Sequence, residues 1–211
     1  MGSGALIDFS KYGLNDEPVV KQSIADGADV ALFSGDKLIG GPQCGIIVGK
    51  KKYIDAILAN PLMRAMRVGK MTLAALAATL KQYRNLDTAE QSIPLLTMLS
   101  APAANLKMRA EKISAQVSGV GNIGQCKVVE SRAMLGGGSL PTQELPSFAI
   151  VVPVEGRSAS WIAQRLRNAK FGLIGRVHKD QFFIDMRTVF PSQDATLVEV
   201  IETLNSQPET E

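Results

Sequence analysis

The chain has 211 residues, 45% of them hydrophobic and 20% charged, which is enough apolar material for one large domain or two small ones. With 23 Lys and Arg against 20 Asp and Glu, the formal charge of +3 does not by itself argue for a nucleic-acid or membrane surface. Two distant cysteines, Cys44 and Cys126, and a single histidine, His178, exclude a disulfide scaffold and a structural zinc cluster. No apolar run approaches the roughly 18 residues of a membrane helix, and MGSGALIDFS lacks the basic and apolar regions of a secretory signal, so the expected location is the cytoplasm.

The start, MGSGALIDF, runs directly into apolar, strand-like sequence and reads as an interior segment. Asn15-Asp16-Glu17-Pro18 supplies capping residues, an acidic first turn and a proline suited to the first helical position, which predicts a short helix over about 17–27, stopped by Gly27. Asp29 to Phe33 is an apolar run typical of a buried strand, and Gly45 to Gly49 is a second one. Between them, SGDKLIGGPQCG is too rich in glycine, with Pro42 added, to be regular, and a loop between core strands is a common place for a site. Helices are expected over Lys50 to Ala59 and Thr72 to Arg84, the second with Leu73, Leu76, Ala77, Leu80 and Tyr83 on one face. The stretch from Asn85 to Pro102, broken by Pro94 and Pro102, is expected to hold a domain boundary, which divides the chain into residues 1–90 and 91–211.

A long helix over about 103–118 follows. The last third then reads strand (125–131), GGG turn, strand (147–153), helix (158–169), two strands joined through His178-Lys179-Asp180, and a helix (193–204). This β-β-α-β-β-α order predicts a small α+β domain with helices packed on an antiparallel sheet. Ser158 is the expected cap of the first of its helices, and the tail NSQPETE is polar.

Gly119-Val120-Gly121-Asn122-Ile123-Gly124 matches GxGxxG, but it lies after a helix and before a strand, the reverse of the order that aims amides at a pyrophosphate. Gly49-Lys50 and Gly69-Lys70 lack the remaining residues of a P-loop. His178 falls in an expected hairpin turn, where solvation is the ordinary outcome. Arg64, Arg67 and Lys70 recur every third residue, and on one helix they would form a drifting cationic stripe, either a wet face or an anion site. Lys37 follows a strand within the glycine-rich loop, three positions after Ser34. A lysine desolvated at a strand end offers a neutral amine for Schiff-base chemistry, while a solvated turn lysine is the plainer alternative.

The segments SGDKLIGGPQCGIIVGKK, NPLMRAMRVGKMTLAALAATL and GGGSLP, in that order, resemble the C-terminal part of bacterial selenocysteine synthase, the L-seryl-tRNA(Sec) selenium transferase family. The likeness runs from GSGAL to FFIDMRTV. It implies an α/β chain, the C-terminal portion of an aspartate-aminotransferase-like (fold type I) transferase dependent on pyridoxal 5'-phosphate, ending in a small α+β domain. It further implies that Lys37 forms the Schiff base with the cofactor and shuttles protons, that Ser34 contacts the cofactor phosphate and that Asp36 orients the loop. Arg64 and Arg67 would then line the active site for the phosphate-bearing selenium donor, and Arg187, in FFIDMRTV, falls where relatives of this fold grip a free carboxylate, an ion pair within the small domain being the alternative.

By the same resemblance the reaction turns seryl-tRNA(Sec) into selenocysteinyl-tRNA(Sec) with selenophosphate through an aminoacrylyl intermediate. Complete members carry an N-terminal tRNA-binding region and the first half of the cofactor domain. The expectation is therefore a truncated or split form, weakly active alone, with Asp8 the early carboxylate available in place of the acid that protonates the pyridine nitrogen. A homo-oligomer or a complementing N-terminal half is implied as partner, with neither membrane nor metal. Two other readings stay open: a related lyase acting on a small amino acid or amino-sugar phosphate, and a non-catalytic remnant that associates with a partner chain.

Overall fold

The computed structural model describes residues 2–15, 17–136 and 142–205, so most of the expected GGG turn and the end of the polar tail lie outside the described residues. The chain forms two units, Met1–Ser100 with Met134–Leu145, and Ala101–Ala133 with Pro146–Glu211.

In the first unit a 3-10 turn, Phe9–Tyr12, is capped by Asp8, whose carboxylate accepts from the Ser10 amide. Helix α1 (Val20–Ala25) is shorter than expected. Glu17 and Pro18 lie outside it, because Val19 is extended and pairs with Ala5 in a parallel bridge, with the Val20 amide donating to the Ala5 carbonyl. The Ser3 hydroxyl donates to Glu17, which takes that carboxylate away from the helix end. Strands β1 (Val30–Ser34) and β2 (Gly45–Gly49) pair antiparallel, Val30 opposite Gly49 and Ser34 opposite Gly45.

Both strands were expected to be buried. Only one face of this ribbon is covered: Ala31 and Phe33 join Val20 and Ile39 in a small core, whereas Leu32 on the other face is 54% exposed and β2 has no buried residue. Helices α2 (Lys51–Ala59), α3 (Leu62–Met66) and α4 (Lys70–Gln82) follow, also with no buried residue. Two helices, α5 (Leu86–Ser92) and α6 (Pro94–Ser100), occupy the stretch read as broken. Asn85 caps α5 by accepting from the Asp87 and Thr88 amides, and Pro94 opens α6, where a missing N–H costs nothing.

The second unit realises the expected strand and helix order. Helix α7 (Ala103–Val117) precedes β3 (Lys127–Met134), β4 (Glu144–Val151), α8 (Ala159–Arg167), β5 (Arg176–His178), β6 (Gln181–Asp185) and α9 (Asp194–Glu202). The sheet order is β3-β4-β6-β5, with β6 antiparallel to both of its neighbours. Leu106, Ala110, Ile113 and Val117 from α7, Ile162 and Leu166 from α8, and Leu197, Val200 and Ile201 from α9 pack with Ile150, Phe182 and Ile184 of the sheet. Ser158 caps α8 as expected, accepting from the Trp161 amide. Lys179 and Asp180, both at positive φ, make the two-residue hairpin turn, and His178 beside them is exposed. Gly119 to Gly124 sits between α7 and β3, the helix-to-strand order that does not suit a dinucleotide.

One polar knot ties three strands of this unit. Asp185 accepts from Ser131 Oγ at 2.8 Å, from Ser147 Oγ at 2.5 Å and from the Arg187 amide at 3.0 Å. Ser131, Ser147 and Arg187 are all buried, so their donors cannot turn to water instead. Asp185→Ala should therefore destabilise this unit by about 2–4 kcal/mol, since more than one buried donor loses its acceptor at roughly 1–3 kcal/mol each. Urea unfolding followed by Trp161 fluorescence measures it, and a loss under about 0.5 kcal/mol, the scale of a surface substitution, would show the knot to be dispensable.

Candidate functional site

The ten residues between Ser34 and Gly45 form a closed loop rather than a slack one. At its neck the Gly35 amide donates to the Cys44 carbonyl at 2.9 Å, and the Gly41 amide returns to the Gly35 carbonyl at 2.9 Å. A side chain at position 35 would collide with this closure, because its Cβ would lie 2.5 Å from Cys44 Sγ and 2.9 Å from the Pro42 carbonyl oxygen. Farther along, the Gly40 amide donates to the Lys37 carbonyl, with Gly40 at φ +68° and its Cα hydrogen facing Ile93, whose methyl would be 2.7 Å from any Cβ there. Glycine at 35 and 40 is thus required by close approach and by left-handed backbone.

The loop is also nailed down by its apolar residues. Leu38 and Ile39 are buried, with Ile39 in the small core beside Phe33 and Val20. Tyr83, the C-cap of α4, packs on that core, and its hydroxyl reaches the carbonyls of Leu38 at 3.2 Å and Ile39 at 2.9 Å. A Cβ at Gly41 would stand 3.6 Å from both Leu76 and Thr79, so Leu76, Thr79 and Tyr83 form the stripe of α4 that meets the loop. The Leu38 amide donates to the Ser3 carbonyl from the other side.

Lys37 therefore stands exposed on a fixed support, immediately before two buried residues. The desolvation read from sequence is not supplied by the described residues. An open depression of about 570 Å³ is lined by Leu32, Ser34, Asp36, Lys37, Gln43 and Cys44 among others. Ser34 Oγ donates to Asp36 Oδ1 at 2.6 Å, so the hydroxyl's one proton is committed to the acid beside Lys37.

The other expected site residues fall elsewhere. Arg64 lies in the middle of α3, Arg67 is its extended C-cap and Lys70 opens α4, so the three do not share a helix and the drifting stripe does not exist. All three are exposed, and none lines the depression. Arg187 belongs to the second unit, buried, with Nη1 donating to the Ala101 carbonyl and Nη2 to the Pro146 carbonyl. Burial pulls its guanidinium below its ordinary value, opposed by the charge of Asp185. Its fork thus serves the backbone of the small unit. Asp8 is a cap, and hydrogen bonds from Ser10 hold its carboxyl below the usual range. Among the described residues no group of His, Cys, Asp or Glu is arranged to hold a metal ion, and no helix is long and apolar enough to cross a membrane.

A family model described as L-seryl-tRNA selenium transferase matches residues 1–190. The chain belongs to the L-seryl-tRNA selenium transferase family. It is 44% identical over 204 residues to the L-seryl-tRNA(Sec) selenium transferase of Clostridium botulinum (strain Hall), a match covering 97% of this chain and 44% of that protein. The enzymes of the same name from Hyphomonas neptunium and Alkaliphilus oremlandii are 44% and 43% identical, each over 94% of this chain and 43% of theirs. The chain thus spans less than half the length of these selenium transferases, and the Lys37 loop lies inside the matched part.

Three features of the site escaped the sequence reading. Tyr83 appeared only as one member of an apolar face, although a phenol among alanines and leucines needs a partner for its hydroxyl and was the signal available. Leu38-Ile39, an apolar pair inside a glycine-rich loop, signalled an anchored loop. Cys44 at the neck gave no sign. Burial pushes the Tyr83 phenol up to about 12, so it remains a donor through the ordinary pH range. Because the folded value lies above the usual 10, this group's stabilisation is complete below pH 10 and is lost as pH rises toward 12. Comparing the alkaline loss of stability in wild type and Tyr83→Phe tests this: the difference should shrink from pH 9 to pH 12, and a constant difference would contradict it.

Proposed function

We propose that this chain supplies the lysine-bearing wall of a pyridoxal-phosphate site in a selenium transferase that acts on seryl-tRNA(Sec), with a phosphorus-bound selenium donor as second substrate. Support comes from one observation above the rest: within the family match, Lys37 is an exposed amine on a rigid, glycine-closed loop at the rim of a depression. The family membership makes a transferase the natural class, and the homologues' name supplies the substrate.

The residues present fit one side of such a cofactor. A primary amine is what an aldehyde requires, and Leu32, exposed on the uncovered face of β1, offers apolar surface beside it. Bound pyridoxal phosphate supplies an electron-withdrawing ring that acidifies the Cα hydrogen of a joined amino acid. Lys37 is the group in this wall able to attach to the cofactor, and its Nζ is the site that would take a proton from Cα and deliver one to the departing hydroxyl. Asp36 stands next in sequence to Lys37, and the Ser34 hydroxyl donates to it and orients it. For Ser34 to donate to a phosphate, its hydroxyl must turn away from Asp36. Arg64 and Arg67, exposed and without a carboxylate partner among the described residues, are the proposed binders of the donor's oxyanion. Arg187 is not part of this proposal, because its fork is occupied by carbonyls.

The test is borohydride trapping with pyridoxal phosphate followed by peptide mapping, on the chain alone and together with polypeptide covering the rest of the relatives' length. The pyridoxyl group should appear on Lys37, and Lys37→Ala should lower turnover of seryl-tRNA and selenophosphate by about 10²- to 10⁴-fold, the scale of a lost acid–base group. A tag on another lysine, or turnover with free serine in preference to seryl-tRNA, would overturn the reading.

A further inference from the structure

We infer that Tyr83 is a positioning residue for Lys37, setting the reach of its amine by holding the carbonyls of the two residues that follow it; the inference rests on the proposed role of Lys37. The Tyr83 hydroxyl spans Leu38 O and Ile39 O at 3.2 and 2.9 Å, the side-chain hydrogen bonds described on these carbonyls. The neck at Gly35, Gly41 and Cys44 fixes where the loop starts and ends, but Lys37 lies beyond it, on a segment whose backbone is held by the Gly40 amide on the Lys37 carbonyl and by a longer bond, 3.4 Å, from the Leu38 amide to the Ser3 carbonyl. Rotation of the peptide planes that carry the Leu38 and Ile39 carbonyls would swing the Lys37 Cα, and the phenol adds its side-chain hydrogen bonding on these carbonyls to the hold of the buried side chains and the Gly40 amide. Tyr83 is carried by α4, the helix that begins at Lys70, just beyond Arg64 and Arg67. One rigid element thus joins the candidate anion-binding segment to the loop bearing the amine.

The test compares wild type with Tyr83→Phe, which keeps the ring in the core and removes only the donor. Each is titrated with pyridoxal phosphate, trapped with borohydride and mapped, with exposed Lys51 as internal control. The half-saturating concentration for Lys37 should rise about three- to tenfold, the equilibrium factor one hydrogen bond supplies, with Lys51 unchanged and a cooperative melt retained. Should the Phe variant lose that melt, 4-aminophenylalanine at position 83, which keeps the ring and a donor at the para position, takes its place, and a Lys37 curve overlaying wild type supports the inference. Unchanged Lys37 labelling in a folded Phe variant, or a weakened curve in the folded aminophenylalanine variant, overturns it. Wild-type Lys37 that fails to label preferentially defeats the Lys37 reading itself, which is a separate result.

Discussion

The amide of Gly35 donates to the carbonyl of Cys44, and the placement of everything chemical in the first unit depends on that closure. It turns a ten-residue excursion between β1 and β2 into a loop with a neck, and the neck exists because neither a side chain at 35 nor a right-handed residue at 40 could be accommodated. Beyond the neck, Leu38 and Ile39 enter the core and leave Lys37 outside it. A flexible loop would have to order itself on binding, at the entropic cost of every residue fixed, whereas this one has met that cost during folding.

The same logic divides the arginines. Arg187 is buried and answered by carbonyls of its own unit, so its contribution is to the packing of the small α+β unit, in line with the polar knot at Asp185. Arg64 and Arg67 are exposed on a segment that changes direction at Arg67, which leaves their guanidinium groups available for an oxyanion. Under the proposed function these exposed cations and the exposed amine would serve one reaction, and Leu32, exposed on the open face of β1, would present apolar surface beside the amine.

Much of this was legible in the sequence. Periodicity and turn chemistry gave the second unit's strand and helix order because each element there has one apolar face and meets the same core. The glycine-rich segment after a strand singled out Lys37. What failed did so for physical reasons. The continuous apolar runs of β1 and β2 are compatible with burial on both faces, and sequence cannot say that only one face is covered. Pro94 was read as a breaker, but at the first position of α6 it costs no hydrogen bond. The spacing of Arg64, Arg67 and Lys70 assumed one helix, whereas Arg67 has extended backbone. Tyr83 was hidden because its partners are backbone carbonyls some 45 residues away, a relation that no local pattern encodes.

The most direct measurement is amide hydrogen exchange of the chain without ligand, resolved at Gly35, Gly40 and Gly41. A prebuilt loop predicts protection at these amides comparable with that of the β1–β2 ladder, with the loop and ladder opening together. Exchange at the rate of unstructured chain would mean that the support beneath Lys37 forms only on binding, contrary to the account.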